Sequence, residues 1–364
     1  MRVVIAAGGT AGHVYPGLAL AERLRGRGGD VLFVGRDEGQ EAHLVPDAGF
    51  RLATVEARPF IRKVSIGALR APFAAVRAAS RVRSLLGDVD VAVGMGGYTS
   101  VPLALAALRT RTPLVLHEQN AVPGLANRVA ARWARAIALN FPEAADRLSR
   151  RARTVVTGNP IREAIARVRR DRVELAEEAV RELDLEPSRR TVVAFGGSQG
   201  ALRLNRAVVG ALPLLAERDD LQVVLLTGTR HGGDVARHVP RDTALLVRTR
   251  PFLERMELAY AAADLVVSRS GAGTIAEISA CGLPCLLVPY PHATGRHQEA
   301  NARALVRAGG ASLLMDDQLD PETLAERLDA LLDAERLSAM AKMSEAFGHP
   351  NAADALADLV META

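Results

Sequence analysis

Glycine-rich segments that follow short apolar runs are the first feature of this sequence that points to chemistry. Residues 8–13 read Gly-Gly-Thr-Ala-Gly-His, and residues 196–200 read Gly-Gly-Ser-Gln-Gly. Glycines at a turn between a strand and a helix let backbone N–H groups approach a phosphate. His13 adds an imidazole that titrates near neutral pH, at the mouth of the crevice where α/β proteins bind ligands. The alternative is a histidine that only caps or packs the turn.

A third turn is the most specific of the set. Residues 268–274 read Ser-Arg-Ser-Gly-Ala-Gly-Thr and continue into a helical pattern. Small residues at a helix start suit a diphosphate, because the positive end of the helix dipole attracts anions. Glu277 lies one turn further on, where its carboxylate would accept hydrogen bonds from a ribose diol. Equally, Thr274 would cap the helix and Glu277 would complete a capping box, so both interpretations stay open.

Polar side chains also follow two apolar runs of the first half. Residues 94–100 read Gly-Met-Gly-Gly-Tyr-Thr-Ser, which would hold a second anionic group or simply form a flexible loop. Residues 117–120 read His-Glu-Gln-Asn and end the next apolar run. A row of polar side chains after a buried strand favours a binding site over a core position.

Neither a metal ion nor a cofactor is expected. Asp88 and Asp90 match a D-x-D metal-diphosphate pattern, but they start a strand, at the end opposite the ligand crevice. Cys281 and Cys285 are the only cysteines and have no second Cys/His cluster nearby. We therefore interpret them as small packing residues in a reducing compartment.

Residues 57–86 contain seven basic residues and no acidic one. On a helix, some of these basic residues share a face with apolar ones, which is typical of an interfacial membrane contact. A solvated amphipathic helix is the ordinary alternative. The predicted membrane patch consists of Phe60, Ile61, Arg62, Lys63, Ile66, Arg70, Phe73, Arg77 and Arg81.

Strands that alternate with helices must position these groups. Apolar runs lie at 3–6, 31–34, 89–93, 114–116, 192–195, 223–226, 265–267 and 285–288. This alternation predicts an α/β fold with parallel sheets, and the repeated glycine turn predicts two Rossmann-like domains in tandem. We expect domains over 1–160 and 161–345. A turn cluster at 157–160 precedes a charged helix over 161–183, and the last helix, over about 351–360, would pack on either domain.

Composition supports a folded chain of two domains, with 364 residues, 49% hydrophobic and 24% charged. Residues 1–160 carry a net charge of +10 and residues 161–364 a net charge of −6. The first half therefore faces an anionic membrane or a phosphorylated lipid; without interleaved aromatics, nucleic acid is not expected. Glycine and proline interrupt the longest uncharged stretch, 91–108, and no signal peptide is recognised, so the protein is expected to be cytosolic or peripheral.

Taken in order, these motifs resemble those of the MurG family, the N-acetylglucosaminyltransferases that convert lipid I to lipid II in bacterial peptidoglycan synthesis. The matching segments are 8–13, 94–98, 117–120, 157–162, 196–200, 268–271, 282–284 and 297–298. The resemblance implies a GT-B fold of two Rossmann-like domains facing a central cleft. The first would bind the acceptor and the second UDP-GlcNAc, with a C-terminal helix over about 346–364 that crosses back to the first.

The resemblance also implies a peripheral enzyme on the cytoplasmic face of the cell membrane. Its partners would be UDP-GlcNAc, lipid I, the anionic membrane surface and proteins of cell-wall synthesis or division. The residues implied in donor binding are Thr10, Ala11, Gly12, Asn120, Arg162, Ser198, Leu253, Ala272, Gly273, Thr274, Ile275, Ala276, Glu277 and Gln298. Among them, Glu277 would hold the ribose and the Leu253 backbone the uracil. Gly96, Gly97 and Tyr98 would hold the acceptor pyrophosphate.

Two positions depart from the family pattern. Ala11 stands where the family often has glycine, and a methyl group there is tolerated unless the backbone needs a positive φ. His297 stands where some members have glutamine, which leaves Gln298 as the safer sugar contact.

The mechanism we expect is an inverting displacement, in which the C4 hydroxyl of lipid-linked N-acetylmuramic acid attacks C1 of the sugar as UDP leaves. His13 is the first candidate for the general base and Glu118 the second. A UDP-GlcNAc 2-epimerase is the nearest alternative, but it needs no membrane patch. A non-catalytic donor-binding subunit is another. A dehydrogenase is disfavoured by the glycine spacing and by the displaced position of Asp37.

Overall fold

The structure is a computed structural model that describes residues 1–55, 79–149, 151–197, 200–230, 235, 237–240 and 243–364. The chain divides into two compact units. The first unit comprises Met1–Arg162 and Asn351–Ala364, and the second comprises Glu163–Pro350.

The first unit contains a seven-stranded sheet in the order β3-β2-β1-β4-β5-β6-β7, in which every neighbouring pair is parallel. Its strands are β1 Arg2–Ala6, β2 Asp30–Gly35, β3 Arg51–Thr54, β4 Val91–Gly94, β5 Leu114–Glu118, β6 Ala136–Leu139 and β7 Arg153–Val156. The helices between them are α1 Ala11–Gly26, α2 Glu41–Asp47, α3 Ser100–Thr110 and α4 Leu125–Ala130, with a 3-10 turn at Pro142–Arg147.

The second unit contains a six-stranded parallel sheet in the order β10-β9-β8-β11-β12-β13. Its strands are β8 Arg190–Phe195, β9 Leu221–Leu226, β10 Leu246–Arg250, β11 Leu265–Ser268, β12 Cys285–Leu287 and β13 Ala311–Leu313. The helices are α5 Glu163–Ala166, α6 Arg172–Leu183, α7 Leu202–Ala211, α8 Met256–Ala262, α9 Ala272–Ala280, α10 His297–Arg307, α11 Pro321–Leu331 and α12 Ala334–Phe347, with 3-10 turns at Leu212–Leu215, Thr294–Arg296 and Asp316–Gln318. Helix α13, Ala352–Thr363, follows and belongs to the first unit.

Both sheets have the strand order of a Rossmann fold, so the predicted α/β class with two Rossmann-like domains is confirmed. In such sheets the strand order reverses beside the first strand, and ligands bind outside the carboxyl ends of the strands at this switch point. The reversal lies between β1 and β4 in the first unit and between β8 and β11 in the second. The loops after these four strands are therefore where each unit is built to bind a ligand.

The central strands form because both faces of each sheet are buried. In β1, Val3 and Ile5 join one apolar cluster of the first unit, whereas Val4 and Ala6 join the cluster on the opposite face. This alternation follows from the two-residue period of a strand. Helix α13 packs against α1 and adds Leu356 to the first of these clusters.

Two predictions about secondary structure need correction. The helix predicted over 161–183 is two helices, α5 and α6, because the chain turns at 167–171 and buries Val168. The strands β3, β6, β7, β10 and β13 were not predicted. Four of them, β3, β7, β10 and β13, are edge strands whose residues are mostly half-exposed or exposed, so they lack the apolar run that marks a central parallel strand.

Candidate active site

The site of the first unit is built where the loops after β1 and β4 meet. Glycines there adopt positive φ, +90° at Gly9, +95° at Gly96 and +74° at Gly97. His13, in the first turn of α1, lies against the second of these loops. A Cβ atom at Gly96 would lie only 3.1 Å from the imidazole Cδ2 of His13, so glycine is what permits this close approach. The structure thus brings two of the sequence-predicted motifs together.

The imidazole of His13 is oriented by its own turn. Its Nδ1 lies 3.0 Å from the hydroxyl oxygen of Thr10, and its side chain is half-buried. Ala11 is the first residue of α1 and its φ is not positive, so the methyl group that departs from the family pattern fits here. Gly12 is exposed on the same turn.

Glu41 holds the glycine turn after β1 in place, and the sequence analysis did not identify it. Its buried carboxylate accepts the backbone N–H of Gly9 at 3.2 Å and that of Arg36 at 3.0 Å. It therefore joins the loops after β1 and β2. A Cβ at Gly8 would overlap this carboxylate, which explains the glycine at that position. An acidic residue that opens the helix after β2 was the available signal.

Hydrogen bonds and a ring contact fix the conformation of the loop after β4. The Ser100 hydroxyl donates to the carbonyl of Gly96 at 2.7 Å, and its oxygen accepts the N–H of the same residue at 3.0 Å. The ring of Tyr98 covers Gly9, where a Cβ would collide with it. These contacts favour a formed binding loop over the flexible alternative.

Glu118, at the end of β5, holds the loop that follows it. Its Oε1 accepts the N–H of Asn120 at 3.0 Å, and its Oε2 accepts the N–H of Gly124 at 3.1 Å and the Asn127 amide at 2.8 Å. Burial raises the pKa of this carboxyl, and these hydrogen bonds lower it in part. Asn120 is half-buried beside it. Asn127, which sequence reasoning missed, also donates to the carbonyl of His117 at 3.0 Å.

His117 is fully buried behind this loop. Its Nε2 lies 3.2 Å from the carbonyl oxygen of Gly158, which indicates that Nε2 carries the proton and donates. Burial, with a smaller contribution from the nearby His13, lowers the pKa of His117 from 6.5 to about 4, although the hydrogen bond to Gly158 acts in the opposite direction. Arg162, at the end of the first unit, places its guanidinium 5.2 Å from the ring centre of Tyr15 on α1.

In the second unit, the turn after β11 leads into α9. Gly271 is the N-cap of this helix and makes no side-chain cap, while Thr274 is the third helical residue. The capping-box alternative for Thr274 and Glu277 is therefore wrong. Instead the Glu277 carboxylate accepts the hydroxyl of buried Tyr260 at 2.9 Å. Gly273 and Thr274 are half-buried, whereas Ala272, Ile275 and Ala276 are buried and would offer only their backbone.

Side chains from the neighbouring loops lock this turn. The guanidinium of Arg269 donates to the carbonyls of Val288 and Pro289 at 3.1 Å and pairs with Asp316 at 2.6 Å. Ser270 donates its hydroxyl to the backbone carbonyl of Gln298 at 2.8 Å.

The remaining predicted residues of this unit lie in the adjoining loops. The side chain of Gln298 accepts the N–H of Tyr290 at 2.9 Å through Oε1. His297, at the start of α10, contacts the carbonyl of Thr294 through Nδ1 at 2.7 Å. Leu253 follows β10 and buries its side chain. Ser198 lies outside the described residues.

Several other predictions concern residues away from the two sites. Cys281 and Cys285 are buried and form no disulfide, and burial raises the pKa of both thiols. Their interpretation as packing residues is confirmed. Asp90 accepts the N–H of Arg2 at 2.7 Å, and Asp88 pairs with the same arginine at 3.4 Å. In the described part of the chain, no cluster of three or more His, Cys, Asp or Glu side chains could hold a metal ion.

The predicted membrane patch is mostly outside the described residues. Only Arg81 of it is described; it is exposed in a helical stretch at 79–83. The other members are Phe60, Ile61, Arg62, Lys63, Ile66, Arg70, Phe73 and Arg77. Of the helices that the structure describes, none combines the length and apolarity needed to span a bilayer.

Comparison with known proteins follows the same division of the chain. Residues 3–139 match the glycosyltransferase family 28 N-terminal domain, and residues 191–356 match the family 28 C-terminal domain. A protein of Halothermothrix orenii named UDP-N-acetylglucosamine–N-acetylmuramyl-(pentapeptide) pyrophosphoryl-undecaprenol N-acetylglucosamine transferase is 40% identical, over 100% of this chain and 99% of its own. A protein of the same name from Saccharopolyspora erythraea is 42% identical over 100% of this chain and 94% of its own. The chain belongs to this transferase family.

Structural similarity agrees with this family. The crystal structure of Acinetobacter baumannii MurG is similar with a TM-score of 0.81 and 29% identity, covering 99% of both chains. The GT-B fold class expected from the motifs is therefore confirmed, and so is the resemblance to the MurG family. As a member of the MurG family the chain is a glycosyltransferase, which excludes the epimerase, dehydrogenase and non-catalytic alternatives.

Proposed function

We propose that this protein transfers N-acetylglucosamine from UDP-GlcNAc to the C4 hydroxyl of the N-acetylmuramic acid carried on undecaprenyl diphosphate, and so converts lipid I to lipid II. One observation carries the proposal. The chain is 40% identical, over its whole length, to a transferase named for this donor and this acceptor. The two sites described above supply the groups that such a transfer requires.

The second unit binds the donor in this proposal. The turn of residues 272–276, at the positive end of the α9 dipole, receives the diphosphate together with Ser198. Glu277, oriented by the hydroxyl of Tyr260, accepts hydrogen bonds from the ribose diol. The backbone of Leu253 contacts the uracil, and Gln298 binds the sugar. Thr10, Ala11, Gly12, Asn120 and Arg162 of the first unit complete the donor contacts.

Transfer proceeds by direct displacement with inversion. As the C4 hydroxyl attacks C1, the bond from C1 to the diphosphate oxygen breaks and negative charge grows on the departing UDP. Donors that already point at this diphosphate stabilise the charge without reorganising during the reaction. The N–H groups at the start of α9 are such donors, because Gly271 leaves them uncapped by any side chain.

His13 is the general base that we favour over Glu118. If its Nδ1–H donates to the Thr10 hydroxyl, the lone pair of the imidazole is on Nε2, the atom that would take the proton of the attacking hydroxyl. The two carboxylate oxygens of Glu118 instead accept three hydrogen bonds from its own loop. Glu118 therefore suits a positioning role, with Asn127 as its side-chain partner.

We assign the acceptor and the membrane contact to the first unit. Gly96, Gly97 and Tyr98 hold the acceptor diphosphate, and the enzyme lies peripherally on the anionic cytoplasmic face of the membrane. Support for this comes from the +10 net charge of residues 1–160 and from the exposed Arg81. Contacts with proteins of cell-wall synthesis or division belong to the same proposal.

The decisive experiment follows labelled GlcNAc from UDP-GlcNAc to a short-chain lipid I analogue, using the purified full-length chain. We expect a labelled disaccharide-lipid product and UDP in equal amounts. An analogue that lacks the C4 hydroxyl is the matched control and should release no UDP above background. If UDP-GlcNAc is consumed equally well without the acceptor, or no label reaches the lipid, the proposal is wrong.

A further inference from the structure

The first residue after β2, Arg36, reaches the loop that follows β4. Its Nη1 donates to the hydroxyl of Tyr98 at 3.2 Å, and its guanidinium lies 5.9 Å from the centre of the same ring. In the sheet, β1 lies between β2 and β4. The contact between Arg36 and Tyr98 therefore joins the loops that follow two strands on either side of β1, at the carboxyl ends of the strands. No sequence motif had marked Arg36 as part of a site.

Arg36 is held in this place by its backbone as well as by its side chain. Its N–H is one of the two that the buried Glu41 carboxylate accepts, and the other belongs to Gly9. The arginine is therefore fixed to the glycine turn that carries His13. A guanidinium anchored in this way loses little freedom when it binds a ligand.

The positive charge of Arg36 interacts with two carboxylates, those of Glu38 and Glu41. Its partner Glu38 lies 2.9 Å from Nη2, but the carboxylate side chain is 78% exposed, so solvent screens the pair. The Arg36 side chain itself is 24% exposed. A guanidinium has five N–H donors in a planar fork that matches phosphate, and the contacts with Tyr98 and Glu38 use two of them.

Tyr98 becomes a donor through this contact. Since its hydroxyl oxygen accepts the hydrogen bond from Arg36, its own hydrogen is directed elsewhere. Beside it, Gly97 adopts a φ of +74° and is half-buried, and a Cβ atom there would lie 3.1 Å from the carbonyl oxygen of Gly8 and 3.5 Å from the His13 ring. Arg36 and Tyr98 together present a cation and a hydroxyl donor beside a glycine backbone.

We infer that Arg36 binds the diphosphate of the lipid-linked acceptor and pairs with Tyr98 to do so. This inference rests on the proposed function and adds to it a cationic residue that the family resemblance did not assign. We assign Arg36 to the acceptor and not to the donor because it lies on the loop after β2 and contacts the loop after β4, whereas the donor diphosphate is assigned to residues 272–276 of the other unit.

The test compares R36Q, R36K and wild type in steady-state transfer to the short-chain lipid I analogue. We expect R36Q to raise the KM for the acceptor by about tenfold or more, since a charge-assisted hydrogen bond is lost. The KM for UDP-GlcNAc should change less than about twofold. R36K keeps the charge but lacks the planar fork of a guanidinium, so its KM for the acceptor should lie between those of wild type and R36Q. R51Q is the matched control, because Arg51 begins β3 at the amino ends of the strands, away from the loops that carry Arg36 and Tyr98, and pairs only with Asp30 in the described contacts.

A binding measurement separates this inference from the proposed function. Inorganic pyrophosphate is titrated into each protein with UDP at saturation, so that the donor site is filled. We expect R36Q to bind pyrophosphate at least about tenfold more weakly than wild type and R51Q to bind it equally well. If this loss is seen but wild type transfers no GlcNAc, the proposed function fails and the anion site stands. An unchanged acceptor KM in R36Q, or a raised KM for UDP-GlcNAc alone, overturns the inference.

Discussion

The Glu41 carboxylate accepts a hydrogen bond from the backbone N–H of Gly9 at 3.2 Å, across 32 positions of sequence. Its other oxygen accepts the N–H of Arg36. One buried side chain therefore fixes two loops that carry candidate ligand groups, the imidazole of His13 and the guanidinium of Arg36.

We expect E41Q to lower the free energy of unfolding by about 1–3 kcal/mol, because the new amide group faces an N–H and leaves it without an acceptor. Urea unfolding followed by the fluorescence of Trp133, the only tryptophan of the chain, reports on the first unit. E22Q, on the exposed side of α1, is the control and should change stability by less than about 0.5 kcal/mol. Equal stabilities of E41Q and E22Q would contradict a structural role for Glu41.

Replacement of His13 tests the general base. We expect H13A to lower kcat by about 10²–10⁴-fold while the binding of UDP-GlcNAc is unchanged, because the proton of the attacking hydroxyl then has no acceptor. Thr10 orients the ring through its hydroxyl, 3.0 Å from Nδ1. T10V should therefore lower kcat by a smaller factor, about tenfold, and T10S should restore most of it. A loss of less than about fivefold in H13A with unchanged binding would rule out His13 as the base.

The ribose contact depends on a pair that only the fold brings together. Tyr260 and Glu277 are 17 residues apart and lie on different helices, α8 and α9. We expect Y260F to raise the KM for UDP-GlcNAc by about three- to tenfold, since it removes the charge-assisted hydrogen bond that orients the carboxylate. E277Q should lose the ability to discriminate between UDP-GlcNAc and its 2′-deoxyuridine analogue. If E277Q still prefers the ribose form as strongly as wild type does, Glu277 does not bind the diol.

How far the sequence predicts this protein depends on where each residue takes its partners. Central strands such as β1 and β8 are recognisable because both faces are buried and the run is continuously apolar. Edge strand β10 reads Leu-Val-Arg-Thr-Arg and is half-exposed, so no such run marks it. The glycine turns are recognisable for a similar reason, since a positive φ restricts the residue type.

The side chains that orient the candidate site residues could not be identified from the sequence. Glu41 and Tyr260 act through contacts set by strand order and helix packing, and nothing local to either residue reveals its partner. Thr274 and Glu277 show the converse, because their spacing fits a capping box while the helix begins one residue after Gly271. A motif four residues long predicts a capping box only when the first residue of the helix is known.

Acid should destabilise the first unit through His117. Burial lowers the pKa of this histidine to about 4, while in the unfolded chain it titrates near 6.5. Between these values the unfolded chain binds a proton that the folded chain does not, so stability falls as pH falls through this window. The loss approaches about 3 kcal/mol at pH 4. We expect H117Q to show a smaller loss between pH 7 and pH 4.5 than wild type, measured by urea unfolding and Trp133 fluorescence.

The control for this pH dependence is H43Q, a histidine exposed on α2. It should keep the wild-type loss of stability on acidification. The readout is the difference between two pH values within each variant, so a uniform destabilisation of H117Q does not affect it. If H117Q and wild type lose the same free energy of unfolding over this range, His117 is not the group responsible.

Helix α13 is held to α1 by two kinds of contact, and their contributions should differ widely. Leu356 is fully buried in the apolar cluster that includes Leu20 and Leu24 of α1. Asp354 pairs with Arg23 at 3.3 Å and Arg27 at 3.0 Å, but all three side chains are 30–39% exposed.

We expect L356A to lower the free energy of unfolding by about 2–5 kcal/mol, since it leaves a cavity, and D354N by no more than about 1 kcal/mol. Urea unfolding followed by Trp133 fluorescence compares the two variants directly. Raising the salt concentration should weaken the effect of D354N and leave that of L356A unchanged, because only the ion pairs are screened. A D354N variant as unstable as L356A would show instead that the charges, and not the apolar face, attach this helix.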